Sequence, residues 1–186
     1  LRFTNVLDYF SEKSLLVINI NNFDQSILAI KKAIDGNFPL VTTAEERLSN
    51  STYQFEEEAV CIPLVSSTGH GHASINRIHF ESGKFALGSI LAAVTPKDTE
   101  VLMAKYLYYY LSNHKDSLIV PLMKGMANVS LSVTKIKTIP VSLPSIETQV
   151  ELIDLMEKCE TLRKTITKSK ADADNMIIAA LSEAFN

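Results

Sequence analysis

The chain has 186 residues, 46% of them hydrophobic, and a formal net charge of −3. This length predicts one full domain with an appendage, and no apolar run approaches the roughly 18 to 20 residues needed to cross a membrane. The start of the chain lacks the basic-then-apolar pattern of a secretion signal, and the cysteines do not suggest a disulfide framework. We therefore expect a cytoplasmic protein.

The acidic excess lies wholly at the C-terminal end. Residues 1–144 carry 13 Lys or Arg against 13 Asp or Glu, whereas residues 145–186 carry 5 against 8. Ser117–Ser142 contains three lysines and no acidic residue. Because salt screens charges beyond about 8–10 Å, a local cationic surface can bind phosphates whatever the net charge. An ordinary solvated surface is the alternative interpretation.

The first half of the chain predicts two helix-like or mixed segments within residues 5–34, followed by several strand-like segments. Residues 24–34 have the apolar spacing of an amphipathic helix, which Gly36 would stop. A polar, glycine-containing loop, Ser66–His72, follows one of the apolar segments. The strand-like segments are Phe38–Thr43, Ala59–Val65, Ile75–Phe80 and the apolar run Phe85–Val94.

A Leu- and Tyr-rich helix is predicted over residues 99–113, with Asp98 as its N-cap. We interpret its tyrosines as packing residues rather than platforms for stacking bases. Two further strands are predicted, around Val129–Val133 and over Ile136–Leu143.

Residues 145–186 form an uninterrupted heptad pattern without Gly or Pro, which predicts one helix capped by Ser145. Such a helix spans on the order of 60 Å at 1.5 Å per residue, too long for a small domain to bury, so we expect a partner helix. Ser169 and Ala173 weaken the centre of the seam. The predicted coiled-coil interface is Leu152, Leu155, Cys159, Leu162, Ile166, Met176 and Ala180. The predicted fold class is therefore α+β, with a small mixed α/β domain over residues 1–144 and one long coiled-coil helix over residues 145–186.

Catalytic signatures are missing from the sequence. It has no GxxxxGK[ST] loop, no GxGxxG opening a helix after a strand, and no [DN]PP[YF] adenine clamp. A metal hydrolase built on His70, His72 and His79, with Cys61 nearby, is one alternative. No four-ligand spacing typical of structural zinc accompanies them, so we predict no metal site.

Two polar loops carry the side chains that protein–DNA interfaces use, namely cations and hydroxyls for phosphates and amides for base edges. For each residue, an ordinary loop position is the alternative interpretation. The residues predicted to contact DNA are Thr42, Thr43, Ser67, Thr68, His70, Asn76, Lys124, Asn128, Ser130, Ser132 and Lys135.

Several stretches, in this order, resemble the specificity subunits of type I restriction–modification systems. The most specific is Ile136–Pro144, similar to the family's I-x-x-I-x-[IV]-x-[LV]-P segment, which runs into Ser145–Gln149 with its E-x-Q step. The other similar stretches are Phe38–Thr43, Ser66–Ala73, Gly83–Ala86, Lys124–Ser132 and Leu181–Phe185.

The resemblance implies a target-recognition domain that reads one half of a split double-stranded DNA site. It implies a spacer helix and docking to an adenine methyltransferase subunit, which would hold S-adenosylmethionine, while this chain itself would be non-catalytic. The family usually carries two such domains and two helices. The single set here suggests a half-subunit that pairs with a second copy or second specificity half, a fragment, or the C-terminal part of a fused methylase. A coiled-coil interaction module without DNA binding is the alternative function.

Overall fold

The computed structural model of the chain describes residues 18–21, 35–68, 71–126 and 128–185. These residues divide into two compact units, one within Leu1–Gln149 and the other within Val150–Asn186. The helix predicted over residues 24–34 lies outside the described residues. None of the helices in the described part of the chain has a stretch long and apolar enough to cross a membrane.

The described part of the first unit contains eight strands arranged in two four-stranded sheets. The strands are β1 (Ile18–Asn21), β2 (Phe38–Val41), β3 (Leu48–Asn50), β4 (Phe55–Glu56), β5 (Ala59–Pro63), β6 (His79–Glu81), β7 (Lys84–Leu87) and β8 (Leu91–Pro96). The first sheet has the order β1-β8-β5-β6 and is antiparallel throughout. The second has the order β3-β2-β7-β4, in which β2 and β7 run parallel and the other pairs antiparallel.

A hydrophobic core joins the two sheets. Successive side chains of a strand point to opposite faces, so alternate residues of β5 and β8 share one face. These pack with residues of β2 and β7, and the Phe55 and Phe85 rings stack 5.1 Å apart. The core residues are Val41, Ala59, Cys61, Phe85, Leu87, Leu91 and Ala93. Burying each of the larger side chains contributes about 1.5–3 kcal/mol, so this contact is a main stabilising element of the fold.

The Tyr-rich helix α1 (Ala104–His114) packs against β5 and β6 of the first sheet. Tyr106 and Tyr109 are buried, as expected for packing residues. The Tyr106 hydroxyl donates a hydrogen bond of 3.0 Å to the Ser142 carbonyl oxygen, which ties α1 to the segment before the last helix.

The predicted start of this helix is wrong. The Asp98 carboxylate accepts a hydrogen bond of 2.9 Å from the Glu100 N–H and closes a local turn instead of capping a helix. Asp side chains offer the backbone this alternative to helical pairing, so α1 begins only at Ala104. It continues into a π-helical turn, Lys115–Ile119, and a 3₁₀ turn, Val120–Leu122.

Three strand predictions also need correction. Of the predicted strand Ile75–Phe80, only the last two residues lie in a strand, because β6 begins at His79. The two strands predicted over residues 129–143 do not form: Val133–Ile136 is a short helix, α2, and residues 139–145 belong to neither helix nor strand. The Ser132 hydroxyl accepts a hydrogen bond from the Lys135 N–H, and this N-cap overrides the β-propensity of the segment.

The last helix, α3 (Ile146–Ala184), has 39 residues, and the predicted fold class is confirmed. The Ser145 hydroxyl accepts a hydrogen bond of 3.4 Å from the Thr148 N–H, as expected of its cap. Within the second unit, Leu155, Leu162, Ile166 and Met176 are between 55% and 73% exposed, so the seam of the helix faces solvent.

The side-chain amide of Gln149, in the first turns of α3, is fully buried in the first unit. Its nitrogen donates to the carbonyl oxygens of Val101 (2.9 Å) and Pro144 (3.0 Å). Its oxygen accepts from the Met103 N–H at 2.9 Å. One amide therefore satisfies three backbone groups that precede α1 and α3.

We expect Gln149→Leu, which keeps most of the volume but loses all three hydrogen bonds, to lower the free energy of unfolding by about 3 kcal/mol or more. Each buried polar group left without a partner costs about 1–3 kcal/mol. The exposed neighbour Glu151 offers the control: Glu151→Ala should change stability by no more than about 0.5 kcal/mol. Urea denaturation measures both, and equal stability of the two variants would contradict this role for Gln149.

Candidate nucleic-acid interface

In the segment after β5, residues 66–74, the described residues 66–68 and 71–74 are linked by the hydroxyl of Ser66. This oxygen accepts hydrogen bonds from the N–H groups of Ser74 (3.1 Å) and Thr68 (3.3 Å) and donates to the His72 carbonyl oxygen at 2.6 Å. The Thr68 hydroxyl also donates to the His72 carbonyl oxygen, at 3.1 Å. We call this segment the serine loop. Its described residues form an internally bonded turn with an exposed outer surface.

A second loop, residues 124–130, follows the 3₁₀ turn, and we call it the lysine loop. Its ends pair through two hydrogen bonds between the backbones of Lys124 and Ser130, of 2.8 and 2.9 Å. Gly125 has φ +140°, and a Cβ there would lie 2.1 Å from the Asn128 carbonyl oxygen. Only glycine fits this turn, because any side chain would meet that backbone oxygen.

The structure brings the two loops together. The Ser66 N–H donates to the Val129 carbonyl oxygen at 2.9 Å, and the Leu131 N–H donates to the Leu64 carbonyl oxygen at 2.8 Å. Between the loops lies a cleft of about 330 Å³, lined by Val65–Thr68 and Asn128–Ser130. Two segments more than 50 residues apart in sequence thus form the walls of one cleft.

A third segment, residues 42–47, follows β2 and lies against the start of β6. The Arg47 guanidinium donates to the Glu81 carboxylate, to the Glu45 carbonyl oxygen at 3.1 Å, and lies 3.0 Å from His79 Nδ1. Because a guanidinium can only donate, this nitrogen of His79 accepts, and the imidazole is neutral. Burial, followed by the nearby Arg47 and Arg77 charges, lowers the pKa of His79 to about 4. Arg47 is therefore committed to holding this segment in place.

The eleven predicted DNA contacts fall into three groups. Four side-chain hydroxyls already bond to the backbone or to a neighbouring hydroxyl: Thr42, Ser67, Thr68 and Ser132. Six exposed residues make no side-chain hydrogen bond within the described ranges: Thr43, Asn76, Lys124, Asn128, Ser130 and Lys135. His70 lies outside the described residues. The second group is the better supplied with donors and acceptors for a ligand.

Sequence reasoning missed Arg77. Its Nη2 donates to the Glu45 carboxylate at 2.9 Å, so it links residues 42–47 to the segment that follows the serine loop. The sequence places Arg77 beside the predicted contact Asn76, between the apolar residues Ile75 and Ile78, and this position could have identified it. It was overlooked because the segment from Ile75 was predicted to be a continuous strand.

The metal hypothesis finds no cluster to support it in the described part of the chain. Within those residues, no three His, Cys, Asp or Glu side chains come together. Burial raises the pKa of the Cys61 thiol, which disfavours the thiolate that a metal would need. His79 Nδ1 faces the Arg47 guanidinium instead of a second ligand.

Comparisons with known proteins agree with this architecture. Residues 17–173 match the family described as the type I restriction modification DNA specificity domain. A putative type I restriction enzyme specificity subunit, S.HindORF215P of Haemophilus influenzae, is 25% identical over 146 residues, a match that covers 78% of this chain and 36% of that protein.

Two solved structures share the fold. A type I restriction–modification S subunit from M. genitalium matches with a TM-score of 0.56 and 11% identity, over 79% of this chain and 37% of that one. A chain from a structure of complex assembly and conformational transition of the type I R-M system matches with a TM-score of 0.52 and 15% identity, over 85% and 40%. This chain therefore spans less than half the length of each of these proteins.

We expect Ser66→Ala to loosen the serine loop, because three of its hydrogen bonds depend on that hydroxyl and each contributes about 0.5–1.5 kcal/mol. Amide hydrogen exchange should speed up at Thr68 and Ser74 while the strands stay protected. Ser130→Ala removes a hydroxyl without a hydrogen bond in the described residues and should leave exchange unchanged. Unaltered exchange at Ser74 in Ser66→Ala would rule out this hydroxyl as the support of the loop.

Proposed function

Because this chain belongs to the family of type I restriction modification DNA specificity domains, we propose that it recognises double-stranded DNA for a type I restriction–modification complex. The family match confirms the resemblance that the sequence motifs indicated. The recognition domain, residues 1–144, reads one half of a split site, and the helix of residues 145–186 acts as spacer and dimerisation element.

The cleft between the serine and lysine loops carries this proposal. Its walls are held by backbone hydrogen bonds. Exposed side chains that make no hydrogen bond within the described residues lie on these walls or close by in sequence. Lys124 and Lys135 supply cations suited to phosphates, and Asn128 supplies an amide suited to an adenine edge. Hydrogen-bonded walls favour recognition, because less conformational freedom is lost when a ligand binds.

We propose that methylation is carried out by a partner adenine methyltransferase that binds S-adenosylmethionine, and that this chain contributes no catalytic group. Support comes from the missing catalytic motifs and from the structurally similar chain whose structure concerns assembly of the type I R-M system. The complex would act in the cytoplasm.

The exposed seam of α3 supports association with a second copy of this chain or a second specificity half. Apolar side chains at a 3.5-residue period are unfavourable in water and suit a facing helix. The second copy or half would supply a recognition domain for the other half-site.

For DNA binding, we expect Lys124→Ala and Lys135→Ala to weaken binding to all sequences and to reduce the salt slope by about one unit for each lost phosphate contact. Asn128→Ala should instead change preference at one base pair, by about 1–3 kcal/mol. Fluorescence anisotropy across a salt series and a base-substituted panel, with the methyltransferase subunit present, measures both effects.

Lys97 is the matched control for these lysines. Lys97 directly follows the C-terminal end of β8. At the other end of β8, Leu91 pairs with Pro63, and this is the end of β5 that leads to the serine loop. Lys97→Ala removes the same charge at the far end of the sheet and should change affinity little. Equal effects of Lys97→Ala and Lys124→Ala would place the DNA elsewhere.

For association, we expect Leu155→Asp combined with Leu162→Asp to abolish self-association or partner binding, because both charges would be buried unpaired in the seam. Thr161→Asp combined with Thr167→Asp adds the same charge off the seam and should leave association intact. Light scattering distinguishes these outcomes. A wild-type chain that stays monomeric and soluble at high micromolar concentration, with no partner, would contradict the proposed seam.

A further inference from the structure

We infer that Arg77 is a DNA-contacting residue and that the Glu45 carboxylate occupies its guanidinium until a DNA acceptor oxygen replaces it. The inference rests on the proposed DNA recognition. It adds Arg77 to the DNA contacts and Glu45 as a carboxylate that competes with DNA for the Arg77 guanidinium. It follows from the anchoring of the segment that carries Arg77 and from the contrast between the two arginines of this region.

The segment that carries Arg77 is fixed at both ends. Ile75 and Ile78 are 1% and 5% exposed, so they anchor the backbone in the core. The Asn76 N–H donates to the Ser67 hydroxyl at 2.9 Å, which ties the segment to the serine loop. Asn76 is exposed and Arg77 is partly exposed, and the two lie side by side between these anchors. The anchored backbone thus presents an amide and a guanidinium outward from one place.

These two side chains are the types best suited to base edges. An Asn amide can bond to both acceptor and donor of an adenine, and an Arg guanidinium can donate two hydrogen bonds to a guanine. The same guanidinium can instead bind a phosphate oxygen. The chemistry shared by both targets is an acceptor oxygen on double-stranded DNA.

The two arginines of this region are held very differently. Arg47 donates to Glu81, to the Glu45 carbonyl oxygen and towards His79, and its side chain is 27% exposed. Within the described residues, Arg77 pairs only with Glu45, through one hydrogen bond of 2.9 Å. The Arg77 side chain is 40% exposed and that of Glu45 is 81% exposed. Arg47 is a structural residue, whereas Arg77 can exchange its partner without loss to the core.

Glu45 suits the role of a temporary partner. Its carboxylate offers the guanidinium the same acceptor geometry that a phosphate offers. An exposed ion pair of this kind contributes little to stability, so DNA can displace it at small cost. While the pair is intact, the nearby carboxylate also opposes the approach of a phosphate backbone, which disfavours binding that does not engage Arg77.

A double-mutant cycle tests this exchange. The wild-type chain, Glu45→Gln, Arg77→Ala and the combined variant, each with the methyltransferase subunit present, are titrated with a fluorescein-labelled random-sequence duplex and with duplexes selected by the wild type from a randomised library. We expect Arg77→Ala to lower affinity for the selected duplex by about 5-fold to 150-fold, the range for one guanidinium contact. Glu45→Gln should raise affinity by up to about fivefold when Arg77 is present. Once Arg77 is absent, it should raise affinity by no more than Glu46→Gln does, because only the repulsion of DNA by an acidic side chain remains.

Two further variants control the cycle. Glu46→Gln removes an exposed charge from the neighbouring residue, so it reports simple repulsion of DNA by an acidic side chain. Arg77→Lys keeps the positive charge but loses the planar fork of donors. Both positions are at least partly exposed, and thermal denaturation checks that all variants fold alike.

The outcomes separate this inference from the proposed function. If Glu45→Gln raises affinity equally with and without Arg77, or if Arg77→Ala binds like the wild type while Lys124→Ala binds weakly, the exchange is wrong and DNA recognition stands. If the wild type binds neither duplex, both fall. A loss of preference at one base pair in Arg77→Ala assigns a guanine contact. A uniform loss across sequences, with a salt slope lower by about one, assigns a phosphate contact.

Discussion

The buried amide of Gln149 is the interaction on which the arrangement of the first unit depends. Its three hydrogen bonds join the segment before α1, the residue before α3 and the first turns of α3 itself. The groups it satisfies are backbone atoms of Val101, Met103 and Pro144, which lie in segments without sheet pairing. Because buried backbone groups must find partners, one side chain replaces the ladder that secondary structure would otherwise provide. The long helix consequently begins as a part of the domain, although most of its length belongs to the second unit.

The candidate interface is built on the same principle at the surface. Backbone groups of the loops find hydrogen-bond partners in the Ser66 hydroxyl and in the pairing of Lys124 with Ser130. Val129 and Leu131 also bond to the backbones of Ser66 and Leu64, which follow β5. The polar groups that hold the loops are thus largely distinct from those that face outward. The described parts of these short loops are thus held by hydrogen bonds instead of by a hydrophobic core of their own, which helps to position side chains such as Asn128.

Sequence reasoning succeeded where one period dominated the pattern. The strand β5 was predictable because burial on both faces requires a continuous apolar run in the sequence. The helix α3 was predictable because a coiled-coil seam requires apolar residues with a 3.5-residue period. It failed where short-range hydrogen bonds compete with propensity. The β-branched residues around Val133 favour a strand, but the Ser132 cap makes a helix, and the Asp98 turn delays α1. Strands of two or three residues, such as β3 and β4, are too short to carry any period.

The candidate site was predictable in composition and not in assembly. The polar loops could be identified from their Ser, Thr, Asn and Lys content. Their convergence on one cleft depends on long-range backbone pairing, since the Ser66 N–H donates to the Val129 carbonyl oxygen and the Leu131 N–H donates to the Leu64 carbonyl oxygen. Arg77 could not be separated from Arg47 by sequence, because the difference lies in how many acceptors surround each guanidinium.

The residues that hold the loops differ from the residues that face outward, and this separation has an evolutionary consequence. The hydroxyl of Ser66 and the glycine at position 125 hold the loops, so substitutions there carry a folding penalty. Exposed side chains at positions 76, 128 and 130 contribute little to folding, and surface substitutions usually change stability by no more than about 0.5 kcal/mol. The outward-facing residues can therefore change while the scaffold stays the same, and under the proposed function a new target sequence would require no compensating mutation in the core.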